Sequence, residues 1–367
     1  MRAMITGGGT GGHIYPALAI AEGIKEKDAS AEILYVGSET GLEKKLAERA
    51  GFPFAGISVA GMTSKFSLKM AKTIVKNMQG IHQAKALLKE YQPDIVIGTG
   101  GYACGPLMLA AAKQGAPTLL HEQNAIMGKT NMILSNQVDK ICLTFNIMDR
   151  GFKAHEKAVL TGLPVRRQIL RADKKQGMDF FSLEEGKPVV LVTGGSQGAR
   201  HINEAAVAAG ANILAAGGQI LHLTGPKLYE ETKAMAEQAG LLSEPCYHLI
   251  SYLHEMEMAL GAADIVISRS GASFLAEIMA VGRCSILIPY PFAAGGHQKA
   301  NALSLVRRDA AEMILDDELD GDSLWSVLEP LLKDEKRVAK MSKNCYDMGC
   351  RDAVERILQE AEKIIKK

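Results

Sequence analysis

The chain has 367 residues, of which 47% are hydrophobic and 23% are charged, a composition that fits two globular domains and excludes disordered and fibrous proteins. Its 42 basic and 41 acidic residues leave a net charge of +1, so no overall positive field favours nucleic acid as a partner. No secretory-type run opens the sequence and no apolar stretch is long enough to span a membrane, so we expect a cytoplasmic location.

Short apolar runs alternate with helical stretches along the chain. In the first half they are RAMIT, EILYV, DIVIG, PTLLHE and KICLTF, and in the second half PVVLVT, QILHLT, DIVIS, CSILIP and AEMIL. This alternation predicts βαβ units whose parallel sheets are covered by helices. Each half also opens with a strand that ends in glycines, at Gly7 and at Gly194, so we predict two tandem Rossmann-like domains.

The domain junction is predicted in the segment VLTGLPVRRQI, where a glycine and a proline interrupt the pattern. We assign residues 1–163 to the first domain and 164–348 to the second. The closing helices carry no glycine-rich loop, and we expect residues 349–367 to pack back on the first domain.

Glycine-rich loops follow several of the predicted strands. The run GGGTGG at residues 7–12 precedes a predicted helix, so its amides and the helix N-terminus predict a site for phosphate oxygens. A second loop, residues 98–106, should lie beside it at the carboxyl end of the same sheet. Loops 194–198 and 270–273 predict a second diphosphate site in the other half. Any one loop is equally well explained as a tight turn.

The first glycine loop also leaves an oxidoreductase open as an alternative. Gly7, Gly9 and Gly12 satisfy the GxGxxG pattern of nicotinamide and flavin enzymes, and Glu39 is placed to bind a ribose. A dinucleotide site needs only one such loop, so the recurrence of glycine loops in both halves weakens this reading.

Seven segments resemble, in order and spacing, the MurG-type N-acetylglucosaminyltransferases of peptidoglycan synthesis. They are GGTGGHIYPALA, GTGGYACGP, HEQNAIMGKTN, TGLPVR, VTGGSQGAR, SRSGASFLAE and HQKANA. The resemblance covers nearly the whole chain. It implies the α/β GT-B architecture, with two Rossmann-like parallel-sheet domains and an active site in the cleft between them.

The resemblance also implies an inverting hexosyltransferase. N-acetylglucosamine would pass from UDP-N-acetylglucosamine, bound by the C-terminal domain, to the muramyl 4-hydroxyl of undecaprenyl-linked lipid I, bound by the N-terminal domain, giving lipid II. The implied location is peripheral, at the cytoplasmic face of the bacterial cell membrane, where other cell-wall and division proteins are candidate partners. A UDP-N-acetylglucosamine 2-epimerase of the same fold and a non-catalytic nucleotide-binding module remain alternatives.

The resemblance assigns donor contacts by the part of the nucleotide sugar that each residue would touch. The diphosphate contacts are Arg166, Ser196, Arg269, Ala272, Ser273 and Phe274. Glu277 would hold the ribose hydroxyls, and Leu253 lies where uracil meets the backbone. Further donor or sugar contacts are Thr10, Gly11, Gly12, Asn124, His297, Gln298 and Asn301. Two residues depart from the family pattern: Leu163 replaces an asparagine, and His297 replaces the glutamine of some members.

For the acceptor, the same resemblance assigns the lipid diphosphate to Gly8, Gly9, Gly100, Gly101 and Tyr102. An inverting displacement also needs a base for the acceptor hydroxyl, and His13 follows Gly12 at a helix N-terminus, which disfavours the imidazolium form. A capping or binding role for His13 is equally open. Glu122 is the reserve base, and His121 is expected to be a packing residue.

Neither a cofactor nor a metal ion is expected. The six cysteines show no zinc spacing and are predicted to be free thiols. Asp320 and Asp322 match the DxD pattern of metal-dependent glycosyltransferases, but their position between a strand and a helix favours helix capping. Arg166 and helix N-terminal amides would then meet the charge of the leaving UDP.

A strip between residues 62 and 89 contains lysines and no acidic residue. Its predicted membrane-contacting residues are Lys65, Phe66, Lys69, Lys72 and Lys76. Such a helix can rest on anionic lipid without spanning it. The alternative is a helix whose apolar face packs on the core while its lysines face solvent.

Overall fold

The structure, a computed structural model, describes residues 1–61, 68–148 and 151–366. For residues 68–71 it describes the backbone alone.

The chain folds into two compact units. The first contains residues 1–164 together with 352–367, and the second contains residues 165–351. The division falls one residue beyond the boundary expected from the sequence, and the last helix belongs to the first unit.

A seven-stranded parallel sheet in the order β3-β2-β1-β4-β5-β6-β7 forms the centre of the first unit. Its strands are β1 (Arg2–Thr6), β2 (Glu32–Ser38), β3 (Phe54–Ile57), β4 (Ile95–Gly98), β5 (Thr118–Glu122), β6 (Lys140–Leu143) and β7 (Ala158–Leu160). Its helices are α1 (Gly11–Lys27), α2 (Leu42–Arg49), α3 (Leu68–Tyr91), α4 (Cys104–Gln114), α5 (Lys129–Ser135) and, at the end of the chain, α14 (Ala353–Ile365).

The second unit has a six-stranded parallel sheet in the order β10-β9-β8-β11-β12-β13. Its strands are β8 (Val189–Thr193), β9 (Gln219–Leu223), β10 (Tyr247–Ile250), β11 (Ile265–Ser268), β12 (Cys284–Leu287) and β13 (Ala311–Met313). Its helices are α6 (Lys174–Phe181), α7 (Arg200–Ala215), α8 (Tyr229–Gln238), α9 (Met256–Ala262), α10 (Ala272–Val281), α11 (His297–Val306), α12 (Gly321–Lys333) and α13 (Glu335–Met348).

Each sheet places its first strand beside its fourth, which is the dinucleotide-binding order. The predicted α/β fold of two Rossmann-like domains is therefore confirmed. The inner strands β1, β4, β5, β8 and β11 are buried almost throughout, because helices cover both faces of each sheet.

Three strands were not predicted from the sequence: β3, β7 and β10. All three lie at sheet edges, where only one neighbouring strand pairs with them, and each is largely half-exposed. A strand that is not buried on both faces needs no unbroken apolar run, so its sequence resembles that of a loop.

Helix α14 returns the end of the chain to the first unit. Its buried face packs in the same core cluster as α1 and consists of Ile357, Leu358, Ala361 and Ile364. Glu360, whose side chain is only 10% exposed, pairs with Lys140 of β6 at 2.8 Å. The ion pair and the apolar face together fix this helix against the sheet.

A buried polar network lies inside the second unit around His222 of β9. The Tyr247 hydroxyl lies 2.9 Å from His222 Nδ1, and Asn203 Oδ1 lies 3.2 Å from Nε2. Asn203 in turn donates to the Thr224 carbonyl at 3.0 Å. Burial lowers the pKa of His222 from 6.5 to about 3, so the ring is neutral in the folded protein.

This depressed pKa predicts an acid-sensitive second unit. Unfolded His222 binds a proton below about pH 6.5 while the folded ring does not, so the stabilisation is complete above pH 6.5 and is lost as pH falls towards 3. We expect the free energy of unfolding to fall by roughly 2 kcal/mol between pH 6.5 and pH 5 from this residue. Urea unfolding followed by the fluorescence of Trp325, the single tryptophan, measures it.

The variant His222→Gln should flatten this pH dependence, whereas His254→Gln, a change at an exposed histidine of the same unit, should leave it as in the parent. Equal slopes in both variants would contradict the assignment.

Candidate active site

The two glycine loops of the first unit lie side by side. β1 and β4 are parallel neighbours, so the turns that follow them emerge at the same edge of the sheet. The Gly8 amide donates to the Gly100 carbonyl at 3.2 Å, which joins the turns directly. Gly101 has a φ of +80°, and a β-carbon there would lie 1.9 Å from the Gly8 carbonyl oxygen.

Two side chains that the sequence analysis did not identify, those of Glu43 and Tyr35, form hydrogen bonds with the first loop. The carboxylate of Glu43, which is fully buried, accepts from the Ser38 amide at 2.9 Å and more weakly from the Gly9 amide at 3.4 Å. The Tyr35 hydroxyl donates to the Gly7 carbonyl at 2.6 Å. The Tyr102 ring, 38% exposed, lies against Gly9 from the second loop.

Helix α1 begins directly after the first loop. The Thr10 carbonyl accepts from the His13 and Ile14 amides, and Gly12 is exposed. No acidic residue lies in the first turn and no side chain caps it. The predicted anion-binding residues Thr10, Gly11 and Gly12 therefore form a helix N-terminus that is open to an anion.

His13 lies in the first turn of α1, between the two loops. Its Nδ1 is 2.9 Å from Gln123 Oε1 and 3.1 Å from the Thr99 carbonyl oxygen. Among the residues that the structure describes, none makes a hydrogen bond to Nε2. The ring lies against the second loop, since β-carbons at Gly100 and Gly101 would approach it to 3.2 Å.

Glu122, the predicted reserve base, is buried at the end of β5 with only 1% of its surface exposed. Its oxygens accept from the Asn124 amide at 3.0 Å, the Gly128 amide at 3.0 Å and Asn131 Nδ2 at 2.8 Å. The Asn124 side chain adds a longer contact at 3.3 Å. A carboxylate engaged in this way favours a role in holding the 123–131 loop, and with it Asn124, over a role as base.

In the second unit, Arg166 and Glu277 form a bidentate ion pair. Arg166 Nε and Nη2 donate to the two carboxylate oxygens at 2.7 and 2.9 Å. Hydrogen bonding to Glu277 raises the pKa of Arg166. Glu277 is buried on α10, whose exposed Ser273 lies one turn earlier, after an N-terminus formed by Gly271 and Ala272. The predicted phosphate and ribose residues thus lie on one helix.

The start of α11 joins the turn that precedes α10. Ser270 Oγ donates to the Gln298 carbonyl at 2.9 Å, and Asn301 Nδ2 donates to the Ser270 carbonyl at 3.2 Å. Gln298 Oε1 accepts from the Tyr290 amide at 2.9 Å, and His297 Nδ1 donates to the Ala294 carbonyl at 2.6 Å. The predicted sugar contacts Gln298 and Asn301 therefore lie beside the diphosphate turn.

The Arg269 side chain makes several contacts within the second unit. It pairs with the carboxylate of Asp316, contacts the Ile288 carbonyl at 3.3 Å and lies over the Tyr290 ring. Asp316 also accepts from His201 Nδ1 at 2.9 Å. This arrangement makes Arg269 a cation that ties the end of β11 to the segment after β13.

The remaining predicted donor residues lie on surface segments of the second unit. Ser196 is exposed in the 194–198 loop after β8, a strand that pairs with β11. Phe274 is half-buried in the first turn of α10, and Leu253 is half-buried in the segment after β10. The residues after β8 and β11 therefore emerge side by side, as in the first unit.

The first DxD aspartate, Asp320, caps helix α12, and Asp322 lies in the first turn of that helix. Asp320 accepts from the Ser323 amide at 2.7 Å, and the Ser323 hydroxyl completes the capping box at the start of α12. No group of three or more potential metal ligands occurs within residues 1–61, 68–148 and 151–366.

Helix α3 presents apolar residues to solvent beside its lysines. Thr73, Gly80, Ala84 and Leu88 are the buried positions, whereas Ile74, Val75 and Met78 are 44, 55 and 65% exposed. Lys72 and Lys76 are also exposed. Ile74, Val75 and Met78 therefore do not pack on the core, although Ala84 and Leu88 further along the helix do.

The other predicted strip residues fall outside this description. Lys65 and Phe66 lie outside the described residues, and Lys69 is described by its backbone alone. In the described part of the chain, no helix is both long and apolar enough to cross a bilayer.

Sequence reasoning missed Gln123, Glu43 and Asp316. Gln123 lies inside the HEQN segment, but its contact with His13 joins residues 110 positions apart. Glu43 and Asp316 lie in charged segments whose sequence resembles that of ordinary protein surface. Only their burial in the structure distinguishes them.

Two Rossmann-type units with glycine-rich turns at the carboxyl ends of their strands define a GT-B protein. The glycosyltransferase family 28 N-terminal domain matches residues 3–143, and the family's C-terminal domain matches residues 189–357. The chain therefore belongs to glycosyltransferase family 28.

Particular relatives narrow this class. The UDP-N-acetylglucosamine--N-acetylmuramyl-(pentapeptide) pyrophosphoryl-undecaprenol N-acetylglucosamine transferase of Desulforamulus reducens is 44% identical over 371 residues, which cover 100% of this chain and 99% of that protein. The crystal structure of Acinetobacter baumannii MurG is 26% identical with a TM-score of 0.82, covering 100% of this chain and 99% of that one. The Neisseria meningitidis UDP-GlcNAc 2-epimerase, at 13% identity and a TM-score of 0.68 over 99% of this chain and 100% of that one, shares the fold alone.

The close approach at Gly101 predicts a position-specific effect of alanine. In Gly101→Ala the new β-carbon meets the Gly8 carbonyl, so the turns must separate, and we expect glycosyl transfer to fall at least about 100-fold. Gly115→Ala is the matched control, since Gly115 has a φ of +75° with nothing within 4 Å. It should cost about 1 to 2 kcal/mol of unfolding free energy, measured in urea, and keep its activity. Equal activities would contradict a role for the joined turns.

Proposed function

We propose that this chain transfers N-acetylglucosamine from UDP-N-acetylglucosamine to the 4-hydroxyl of the muramyl sugar of undecaprenyl-diphospho-N-acetylmuramyl-pentapeptide, forming lipid II. The observation that carries the proposal is His13, whose Nε2 is unengaged by the described residues beside two joined glycine loops. The activity named for the 44% identical relative supports the same substrates.

The acceptor chemistry rests on the first unit. The open N-terminus of α1 and the glycine loops supply amides for a diphosphate, and His13 Nε2 is the acceptor for the hydroxyl proton. Removing that proton as the oxygen attacks the anomeric carbon gives inversion in one displacement. Glu122 serves to position Asn124 in this scheme.

The donor chemistry rests on the second unit. Breaking the anomeric C–O bond places negative charge on UDP, which the amides at the start of α10 and the Arg166 guanidinium stabilise. Glu277 accepts from Arg166 with both oxygens and keeps further lone pairs for the ribose hydroxyls. We infer that no metal ion takes part, because the α10 amides and the remaining N–H donors of Arg166 can meet this charge and Asp320 is engaged in its capping box.

The test follows radiolabelled sugar from UDP-N-acetylglucosamine to a short-chain lipid I analogue in the presence of EDTA. We expect label in the lipid fraction, and His13→Asn should lower kcat by about 100-fold or more while donor binding by calorimetry is unchanged. His155→Asn, at an exposed histidine of the same unit, is the control.

The outcomes separate the alternatives. Free N-acetylmannosamine in place of labelled lipid would establish the epimerase and overturn the proposal. Activity that EDTA abolishes would contradict the inference about metal. Equal losses of kcat and donor affinity in His13→Asn would show that His13 is not the base.

We also propose that the chain lies peripherally on anionic lipid at the cytoplasmic face of the membrane, through the exposed face of α3. Ile74, Val75 and Met78 supply apolar surface, and Lys72 and Lys76 supply charge beside it. An apolar face left in water beside cations has the chemistry of an interfacial helix.

Flotation with vesicles that contain phosphatidylglycerol tests this surface. Lys72→Glu with Lys76→Glu should weaken partitioning at least about 30-fold, since each lysine contributes about 1 kcal/mol at an anionic surface. The control Lys44→Glu with Lys45→Glu makes the same charge change at exposed positions of α2 in the same unit. Flotation that is equal for both double variants would overturn the proposal.

A further inference from the structure

Two buried side chains, His121 and Gln123, connect His13 to the backbone carbonyl of Gly162 through hydrogen bonds. His121 Nε2 lies 2.9 Å from the Gly162 carbonyl oxygen, and His121 Nδ1 lies 3.0 Å from Gln123 Nε2. Gln123 Oε1 then lies 2.9 Å from His13 Nδ1. His121 and Gln123 are 0 and 1% exposed, so water does not compete for these contacts.

The proton positions in this hydrogen-bond network follow from its end at the Gly162 carbonyl. A carbonyl oxygen only accepts, so His121 Nε2 must carry the proton that points at Gly162. Complete burial lowers the pKa of His121 to about 4, so the ring is neutral at pH 7. A neutral imidazole carries one proton, which leaves His121 Nδ1 as a bare acceptor.

The orientation of the Gln123 amide follows next. Its nitrogen donates to the bare His121 Nδ1 and to the Thr99 carbonyl at 2.9 Å. Turning the amide over would place its oxygen against both of these acceptors and leave two buried acceptors without a proton. Only the orientation with Oε1 towards His13 gives every donor and acceptor in this hydrogen-bond network a partner.

His13 Nδ1 therefore faces two acceptors, Gln123 Oε1 and the Thr99 carbonyl, and must carry the proton. We propose that Gln123 and His121 are positioning residues that fix His13 in the tautomer with a bare Nε2. The proposal rests on the proposed function, because the bare nitrogen is the atom that receives the acceptor proton.

An amide fixes the tautomer without adding a charge. A carboxylate at the place of Gln123 would also accept from Nδ1, but it would stabilise the imidazolium, the form that cannot act as a base. The carboxylates on neighbouring elements, Glu43 on α2 and Glu122 on β5, accept from backbone amides instead. The hydrogen-bond network from Gly162 to His13 thus contains no charged member that would stabilise the imidazolium.

Nitrogen NMR of the full-length protein labelled with ¹⁵N-histidine tests the tautomer without any change in the chain. His13, assigned by the loss of its signals in His13→Asn, should show a protonated Nδ1 and a bare Nε2 at pH 7.5, and His121 should show the opposite tautomer. Averaged signals from His13, or a protonated Nε2, would overturn the proposal.

Two variants test the consequence for catalysis. Gln123→Met removes the acceptor at similar volume, so kcat should fall roughly 10- to 100-fold with averaged His13 signals and unchanged UDP-N-acetylglucosamine affinity. Gln123→Glu should move the acidic limb of the kcat/KM profile up by about one pH unit or more, because the carboxylate stabilises the imidazolium. Gln114→Glu, at an exposed position of the same unit, should leave the profile unchanged.

The results separate this inference from the proposed function. A parent protein that fails to transfer sugar overturns the function, whereas the NMR result for His13 stands by itself. Transfer by the parent, with neither variant altering the pH profile or the His13 signals, overturns the positioning role alone. Should the variants fail to fold by circular dichroism, the parent spectrum still decides between the two tautomers.

Discussion

The hydrogen bond from the Gly8 amide to the Gly100 carbonyl is the contact on which the site of the first unit depends. It joins the turn after β1 to the turn after β4, and it requires a closeness at Gly101 that any side chain would prevent. His13 follows within a few residues, and its ring fits where the second loop has no β-carbons. The position of the proposed base is therefore set by backbone packing, which is stiffer than a long side chain.

In each of the two units, polar groups are held by partners that the fold supplies. Glu122 accepts amide protons from its own loop, Arg166 and Glu277 hold each other, and Arg269 is held by Asp316. Groups fixed in this way lose little conformational entropy when a substrate arrives, and they need no reorganisation as charge develops. His13 differs, since its partner Gln123 is a neutral amide.

The sequence predicted the inner strands and the glycine turns well, because both leave local signals. A strand that is buried on both faces is mostly apolar, and a turn with a positive φ or a close approach selects glycine. The edge strands β3, β7 and β10 were missed because their exposed residues carry no such demand. The exposed apolar face of α3 was ambiguous for the same reason, since an apolar stripe looks alike whether it faces core or solvent.

What the sequence determined by itself is the two-domain α/β plan, the order of its glycine loops and the family to which the chain belongs. What only the tertiary structure decided is the partner of each functional side chain: Gln123 for His13, Glu277 for Arg166 and the loop amides for Glu122. The backbone conformation of a strand or a turn depends on nearby residues and can be predicted from them. The contact of Gln123 with His13 spans 110 positions and exists only once parallel strands bring their carboxyl ends to one edge of the sheet.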